Sequence, residues 1–229
     1  MNAVVEAPVY SLTPFTLLDY PDKTACIIWF AGCNMRCSYC YNPEIVHGKG
    51  KLTYEHVFNF LKKRVDLIDG IVLSGGECTS AKGLIEFVRE VKKMGMKVKL
   101  DTNGSNPQVV QQLIDEELID YIALDFKANK NKFHVITGSK LFGRFEKTLD
   151  LLLLNHLDFE VRTTIHESLL SLLDIKEMIQ FLEVKGYKGK FYLQQFINNT
   201  PTIGSMGYSK NSLQTSDFNS STIDVVLRN

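Results

Sequence analysis

The sequence contains no apolar run approaching the roughly 20 residues that a membrane-spanning helix needs. It also lacks an excess of charge, since 26 lysines and arginines balance 26 aspartates and glutamates. A neutral chain has no electrostatic basis for binding nucleic acid or an anionic membrane surface. The first residues lack the basic segment and continuous apolar stretch of a secretory signal. We therefore expect a cytoplasmic protein that binds neither nucleic acid nor membrane.

Cysteine is scarce, and its placement argues against a disulfide framework. There are five cysteines, an odd number, and Cys33, Cys37 and Cys40 fall within eight residues. Three thiolates on one short loop predict a shared metal centre, and sulfur ligands favour zinc or an iron–sulfur cluster. Structural zinc or an ordinary four-iron cluster needs a fourth ligand, for which His47 is the nearest candidate. A four-iron cluster with one open iron is the alternative.

From Thr24 onward, short apolar runs alternate with segments of helical periodicity. Strands are predicted at residues 24–30, 70–74, 96–100, 121–125, 159–164 and 190–196. Helices are predicted from residue 53 and at about 80–94, 107–117, 141–154 and 169–184. Such alternation indicates βαβ units and a parallel sheet, so the predicted fold class is α/β, a partial (β/α)6 TIM-like barrel.

The chain is predicted to form one domain, residues 1–229, with its core at about 15–196. Residues 197–229 are rich in Ser, Thr, Asn and Gly. They are either an irregular covering segment that ends in an edge strand near 223–227 or partly disordered.

Three predicted strands end in polar clusters: Ser74-Gly75-Gly76-Glu77, Asp101-Thr102-Asn103-Gly104 and Asp125-Phe126-Lys127. Glycines allow a ligand to approach the backbone, and a neighbouring carboxylate can bind an ammonium group. Two carboxylates at adjacent strand ends can share a hard cation. Alone, the glycine cluster is equally consistent with a tight strand–helix turn, and the two aspartate clusters are more simply helix caps and solvated loop ends.

The pattern C-x-x-x-C-x-aromatic-C, with Tyr39 as the aromatic, resembles the signature of the radical S-adenosylmethionine (SAM) enzymes. In that family three cysteines hold a [4Fe–4S] cluster, and the amino and carboxylate groups of SAM chelate its open iron. The resemblance covers roughly residues 15–196 and implies that Cys33, Cys37 and Cys40 are the cluster ligands.

The same resemblance implies roles for the strand-end clusters. Gly75-Gly76-Glu77 matches the family motif that holds the methionyl amino group, although Cys78 stands where relatives usually carry proline. By similarity to pyruvate formate-lyase activase, a monovalent cation would bind Asp101, Thr102 and Asp125. The remaining implied cofactor contacts are Tyr39, Asp101, Thr102, Asn103, Asp125, Lys127, Arg162 and Thr164.

The segments at residues 15–21 and 41–44 look most like those of anaerobic ribonucleotide reductase activating proteins. The resemblance implies reductive cleavage of SAM to a 5′-deoxyadenosyl radical, which installs a glycyl radical on a partner enzyme. The implied partners are anaerobic ribonucleotide reductase and an electron donor such as flavodoxin or ferredoxin. Only Cys26 and Cys78 lie outside the cysteine loop, too few for a second four-cysteine cluster. The alternatives are a radical enzyme acting on a peptide or small metabolite, and a non-catalytic metal-binding protein.

Overall fold

The computed structural model describes residues 7–210 and 212–228, and the chain divides into two compact units. Unit 1 comprises the described residues up to Asn34 together with Glu44–Thr102 and Gln108–Ile122. Unit 2 comprises Met35–Pro43, Asn103–Pro107 and the chain from Ala123 onward. No helix in the described ranges is both long and apolar enough to cross a membrane.

The strands are β1 (Val9–Thr16), β2 (Ala25–Phe30), β3 (Gly70–Gly75), β4 (Lys97–Thr102), β5 (Tyr121–Asp125), β6 (Phe159–Ile165), β7 (Lys190–Gln195) and β8 (Asp224–Arg228). The helices are α1 (Pro43–His47), α2 (Tyr54–Lys62), α3 (Leu84–Lys93), α4 (Pro107–Asp115), α5 (Lys130–Thr137), α6 (Phe142–Leu154) and α7 (Leu172–Val184). The six predicted strands correspond to β2–β7, and the predicted terminal strand corresponds to β8.

In unit 1, β2 and β3 are parallel neighbours. The cysteine loop follows β2 in sequence, and the glycine turn follows β3. Ala25 pairs with Gly70 and Phe30 with Gly75, so the two strands end side by side. Both are almost continuously buried, because strands covered on both faces carry apolar residues at successive positions. Strand β1 pairs antiparallel with β2; the sequence indicated an extended segment there but not a strand.

Local features at the N-termini of two unit 1 helices, α2 and α3, set where these helices begin. Thr53 caps α2 as predicted, because its hydroxyl accepts a hydrogen bond from the amide of His56 at 3.2 Å. Helix α3 begins at Leu84, later than the predicted Ser80, since a 3₁₀ turn occupies Cys78–Ser80 and Gly83 adopts φ of 73°. The predicted apolar face of α3 is buried.

In unit 2, β6, β7 and β8 pair in parallel, with Val161 opposite Phe191 and Lys190 opposite Asp224. The core beside them is aromatic: the ring of Phe126 stacks on that of Phe145 at 4.8 Å. Helix α7 starts at Leu172 rather than the predicted Leu169, because Ser171 and Asp174 form a capping box.

Helix α5 was not predicted. It is weakly amphipathic, burying Phe133, Ile136 and Thr137, and β-branched residues fill its last turn. Its end is marked by Gly138, which adopts φ of 64° and donates its amide to the His134 carbonyl. The carbonyls of its last two residues, Ile136 and Thr137, accept hydrogen bonds from the cysteine loop.

Candidate functional site

The cysteine loop follows the carboxyl end of β2, where parallel α/β folds carry their sites. The thiol of Cys37 is buried, while Cys33 and Cys40 are partly exposed. No disulfide joins any two of the five cysteines, all of which lie within the described ranges. Cys33 belongs to unit 1, and Cys37 and Cys40 to unit 2.

The backbone of the cluster loop, defined as residues 35–43, is fixed on one side by the unpredicted helix α5. The amide of Arg36 donates to the carbonyl of Thr137 at 2.7 Å, and that of Ser38 to Ile136 at 3.3 Å. The last carbonyls of a helix have no partner within the helix. The loop amides therefore satisfy groups that α5 leaves open, and this fixes the backbone that carries Cys37.

The environment of Cys37 opposes ionisation in the metal-free protein. Burial raises the pKa of this thiol, and the nearby Lys127 ammonium partly offsets that rise. Lys127 lies 5.8 Å from the ring centroid of Tyr39, so the charge and the aromatic residue of the motif are neighbours. A thiolate formed on binding a metal centre would gain from that ammonium.

The glycine turn after β3 is bound to the residues that lead into the cysteine loop. The amide of Gly76 donates to the carbonyl of Phe30, and that of Glu77 donates to Gly32, each at 2.9 Å. A Cβ on Gly76 would lie 1.8 Å from the Gly32 carbonyl oxygen, so a side chain there would force the two segments apart. Gly75 adopts φ of 119°, which disfavours any other residue.

Glu77 is a buried carboxylate with an ordered environment, 1% exposed. Its Oε1 accepts hydrogen bonds from the Thr79 amide at 3.1 Å, the Thr79 hydroxyl at 2.5 Å and the Thr102 hydroxyl at 2.9 Å. A hydrogen bond thus links Glu77 and Thr102, two site residues that were predicted from separate motifs. Next to them, the Cys78 thiol is buried and donates to the Asp101 carbonyl at 3.4 Å.

Asp101 binds a lysine that the sequence analysis did not select. The ammonium of Lys99, itself buried, forms an ion pair with Asp101, and the Ser74 hydroxyl donates to the same carboxylate at 3.1 Å. The signal was present in the sequence: Lys97, Lys99 and Asp101 alternate along β4 and therefore share one face.

In unit 2, Asp125 lies between two cations. Its Oδ1 accepts from Arg162 Nε at 2.6 Å and its Oδ2 from Lys127 at 2.9 Å. Burial alone would raise the pKa of Asp125, but the guanidinium and ammonium outweigh it and hold the pKa at about 2. The sequence named all three residues without indicating that they form one network.

The remaining candidates make fewer informative contacts. Asn103 is buried, and its side-chain oxygen accepts from the Ser105 amide at 3.0 Å. Thr164 pairs in register with Gln194 across β6 and β7. Within the described ranges, no three or more histidine, cysteine, aspartate or glutamate side chains are arranged around a single-ion site.

The Asp125 network makes a prediction about stability. Replacing Asp125 by asparagine leaves two largely buried cations without their counter-charge, which is expected to cost about 3–5 kcal/mol of unfolding free energy. Urea unfolding of the metal-free protein measures this loss of unfolding free energy. The control is Asp158→Asn, which replaces an exposed carboxylate. Because the folded pKa is depressed, this stabilisation is present above about pH 4 and is lost as the pH falls towards 2. Equal unfolding midpoints for the two variants would contradict it.

Comparison with known proteins gives the family of this chain. Residues 27–190 match the model of the Radical SAM superfamily. The chain belongs to this superfamily. A [4Fe–4S] cluster and S-adenosylmethionine are the cofactors that radical SAM enzymes use, and the three cysteines that the cluster requires are present.

Several relatives carry names of activating enzymes. A Methanocaldococcus jannaschii protein, provisionally named a glycyl-radical enzyme activating enzyme, is 35% identical over 184 residues, covering 76% of this chain and 75% of the relative. The pyruvate formate-lyase-activating enzyme of Clostridium pasteurianum is 28% identical over 143 residues, covering 59% of each chain.

A solved structure supports the fold. Streptococcus suis SuiB bound to S-adenosylmethionine matches with a TM-score of 0.65 at 12% identity, covering 89% of this chain and 52% of that one. This chain therefore spans about half the length of SuiB. Together with the alternation of strands and helices along the chain, this likeness confirms the predicted α/β class, a partial (β/α)6 barrel.

Proposed function

We propose that this radical SAM enzyme activates a glycyl radical enzyme, and that its partner is an anaerobic ribonucleotide reductase. The observation that carries the activating role is the relative that is 35% identical over three quarters of both chains. The choice of partner rests on the sequences at residues 15–21 and 41–44. An electron donor such as flavodoxin or ferredoxin would complete the system, in the cytoplasm.

In this proposal Cys33, Cys37 and Cys40 hold the [4Fe–4S] cluster. The donor set fits, because three thiols on one loop, none in a disulfide, are the soft ligands that iron–sulfur clusters take. A reduced cluster held by these three cysteines would supply the electron needed for reductive cleavage of SAM to methionine and a 5′-deoxyadenosyl radical, the species that would abstract a hydrogen atom from the partner's glycine.

The protein's own part is to bind and orient SAM. Glu77 supplies a buried negative charge for the methionyl ammonium, and Gly75 and Gly76 keep that turn free of side chains. Lys127 and Arg162 offer charges for the methionyl carboxylate, and Asp125 keeps them in place. The other proposed contacts are Tyr39, Asp101, Thr102, Asn103 and Thr164.

A monovalent cation at Asp101, Thr102 and Asp125 stays a prediction. Each of these two carboxylates is already paired with a side-chain cation, Asp101 with Lys99 and Asp125 with Arg162 and Lys127. The yield of 5′-deoxyadenosine in sodium, potassium and tetramethylammonium buffers tests the need for an added ion. A yield that depends on the alkali ion would support the cation site.

The activating role is tested by mixing the reduced, reconstituted protein with SAM and the anaerobic ribonucleotide reductase of the same cell. Electron paramagnetic resonance (EPR) is expected to show a glycyl radical doublet, and chromatography an equivalent amount of 5′-deoxyadenosine. A reductase in which the acceptor glycine is replaced by alanine is the control. Deoxyadenosine without a doublet would refute this partner and favour a peptide or small metabolite as the substrate.

A further inference from the structure

The carbonyl side of the cluster loop is bound by a segment from the far end of the chain, residues 197–209, which we call the tail loop. The amide of Gly204 donates to the carbonyl of Ser38 at 2.7 Å, and that of Ile203 donates to the carbonyl of Cys40 at 3.1 Å. Helix α5 binds the amides of the same loop, as described above. The cluster loop is thus held through its amides on one side and its carbonyls on the other.

Hydrogen bonds within the tail loop fix its conformation. The side-chain amide of Asn198 donates to the Ser209 carbonyl and its oxygen accepts from the Ser209 amide, both at 2.8 Å. Within the loop, the Thr202 hydroxyl accepts from the Met206 amide at 3.1 Å. A surface segment of this length whose ends are joined is an Ω-loop.

Two further contacts anchor the tail loop beside the cluster loop. The Tyr41 hydroxyl, one residue after Cys40, accepts from the amide of Ile197 at 2.8 Å. The buried His166, the residue after β6, donates from Nε2 to the Gly207 carbonyl at 2.9 Å. The Ser168 amide donates to Nδ1 of the same ring, so Nε2 is the nitrogen that carries the proton.

At Gly204 the tail loop packs so tightly against the cluster loop that no side chain fits between them. A Cβ built there would lie 2.6 Å from Cβ, 2.9 Å from Cα and 3.0 Å from the carbonyl oxygen of Ser38. Two of those three atoms are backbone, which cannot turn aside as a flexible side chain can. Any side chain at residue 204 must therefore lift the tail loop or displace the cluster loop. Gly207, three residues on, has nothing within 4 Å of its Cβ position.

We propose that the tail loop is a positioning element for the cluster, and that Gly204 is the residue on which its fit depends. By holding the carbonyls of Ser38 and Cys40, it keeps the Cys37 and Cys40 thiolates in the geometry that binds the cluster. This inference rests on the proposed assignment of those cysteines as cluster ligands.

The test compares Gly204→Ala with Gly207→Ala in the full chain. In the metal-free protein, hydrogen exchange at the amides of residues 203 and 204 is expected to be roughly tenfold faster in Gly204→Ala, because two hydrogen bonds are lost. After reconstitution, the same variant is expected to lose its cluster to air several-fold faster, and the EPR spectrum of its reduced cluster should change. Gly207→Ala should match the wild type in all three measurements.

The outcomes separate this inference from the proposed function. If the wild type holds a cluster and the two glycine variants behave alike, the positioning role is wrong. If the wild type holds no cluster, the cluster assignment fails, while the exchange data on metal-free protein still decide whether the tail loop holds the cluster loop. If Gly204→Ala does not fold, Asn198→Ala is the alternative variant. It removes the two hydrogen bonds between Asn198 and Ser209 that join the ends of the tail loop, and it adds no atoms. It is expected to change exchange and cluster decay in the same direction, and unchanged values would overturn the inference.

Discussion

Replacing Cys37 by alanine is expected to reduce both cluster-bound iron and 5′-deoxyadenosine formation to background. Cys37 is the buried member of the proposed ligand set, on a loop whose backbone is held by α5. Two remaining thiolates cannot hold a cubane cluster that already lacks a fourth protein ligand. Iron and sulfide analysis after anaerobic reconstitution, followed by a single-turnover assay with dithionite and SAM, measures both quantities.

The chain provides matched controls for this variant. Cys26 is fully buried within β2, and Cys78 is fully buried beside the glycine turn. Alanine at either position removes a thiol of the same chemistry from outside the proposed ligand set, so cluster content should be retained. Full iron content and turnover in Cys37→Ala, or their loss in Cys26→Ala, would refute the assignment of the ligands.

The second large effect is expected at Glu77. Glu77→Gln keeps an oxygen that can accept from Thr79 and Thr102 but removes the negative charge. Because hydrogen bonds to charged groups contribute about 1.5–3 kcal/mol, the dissociation constant for SAM should rise roughly ten- to a hundredfold. Equilibrium dialysis with the reconstituted protein measures it, and the cluster content of the variant should match that of the wild type.

The control for Glu77 is Thr79→Val. It removes the hydroxyl that donates to Glu77 but leaves the carboxylate charged and the residue 79 amide in place. We expect a change of only a few-fold in SAM affinity, since loss of a single hydrogen bond costs about 1 kcal/mol. Equal affinities in Glu77→Gln and the wild type would show that this carboxylate does not bind the cofactor's ammonium group.

The sequence was sufficient for the parts of the fold that depend on local pattern. Buried runs such as 25–30 and 70–75 have a strong apolar signal, and the cap at Thr53 has a local chemical cause. Helix α5 has neither, because its propensity is weak and tertiary packing stabilises it. It was therefore missed, although it holds the cluster loop.

Site residues were predictable where a motif names them, and unpredictable where only three-dimensional contact gives them a role. Glu77 and Asp125 stand in recognisable motifs. Lys99 pairs with Asp101 from within a strand, and Gly204 meets Ser38 across more than 160 positions of sequence. Contacts at that sequence separation depend on the folded chain, and no local pattern around residue 204 indicates them.

The most direct test of the central claim is the EPR spectrum of the reduced, reconstituted protein before and after SAM is added. If Cys33, Cys37 and Cys40 hold a [4Fe–4S] cluster with an open iron, adding SAM should change the cluster spectrum. Replacing the ¹⁴N of the SAM amino group by ¹⁵N should change the nitrogen coupling of the cluster signal. A protein that takes up zinc at one ion per chain, with no iron or sulfide, would contradict the claim, as would a cluster spectrum that SAM leaves unchanged.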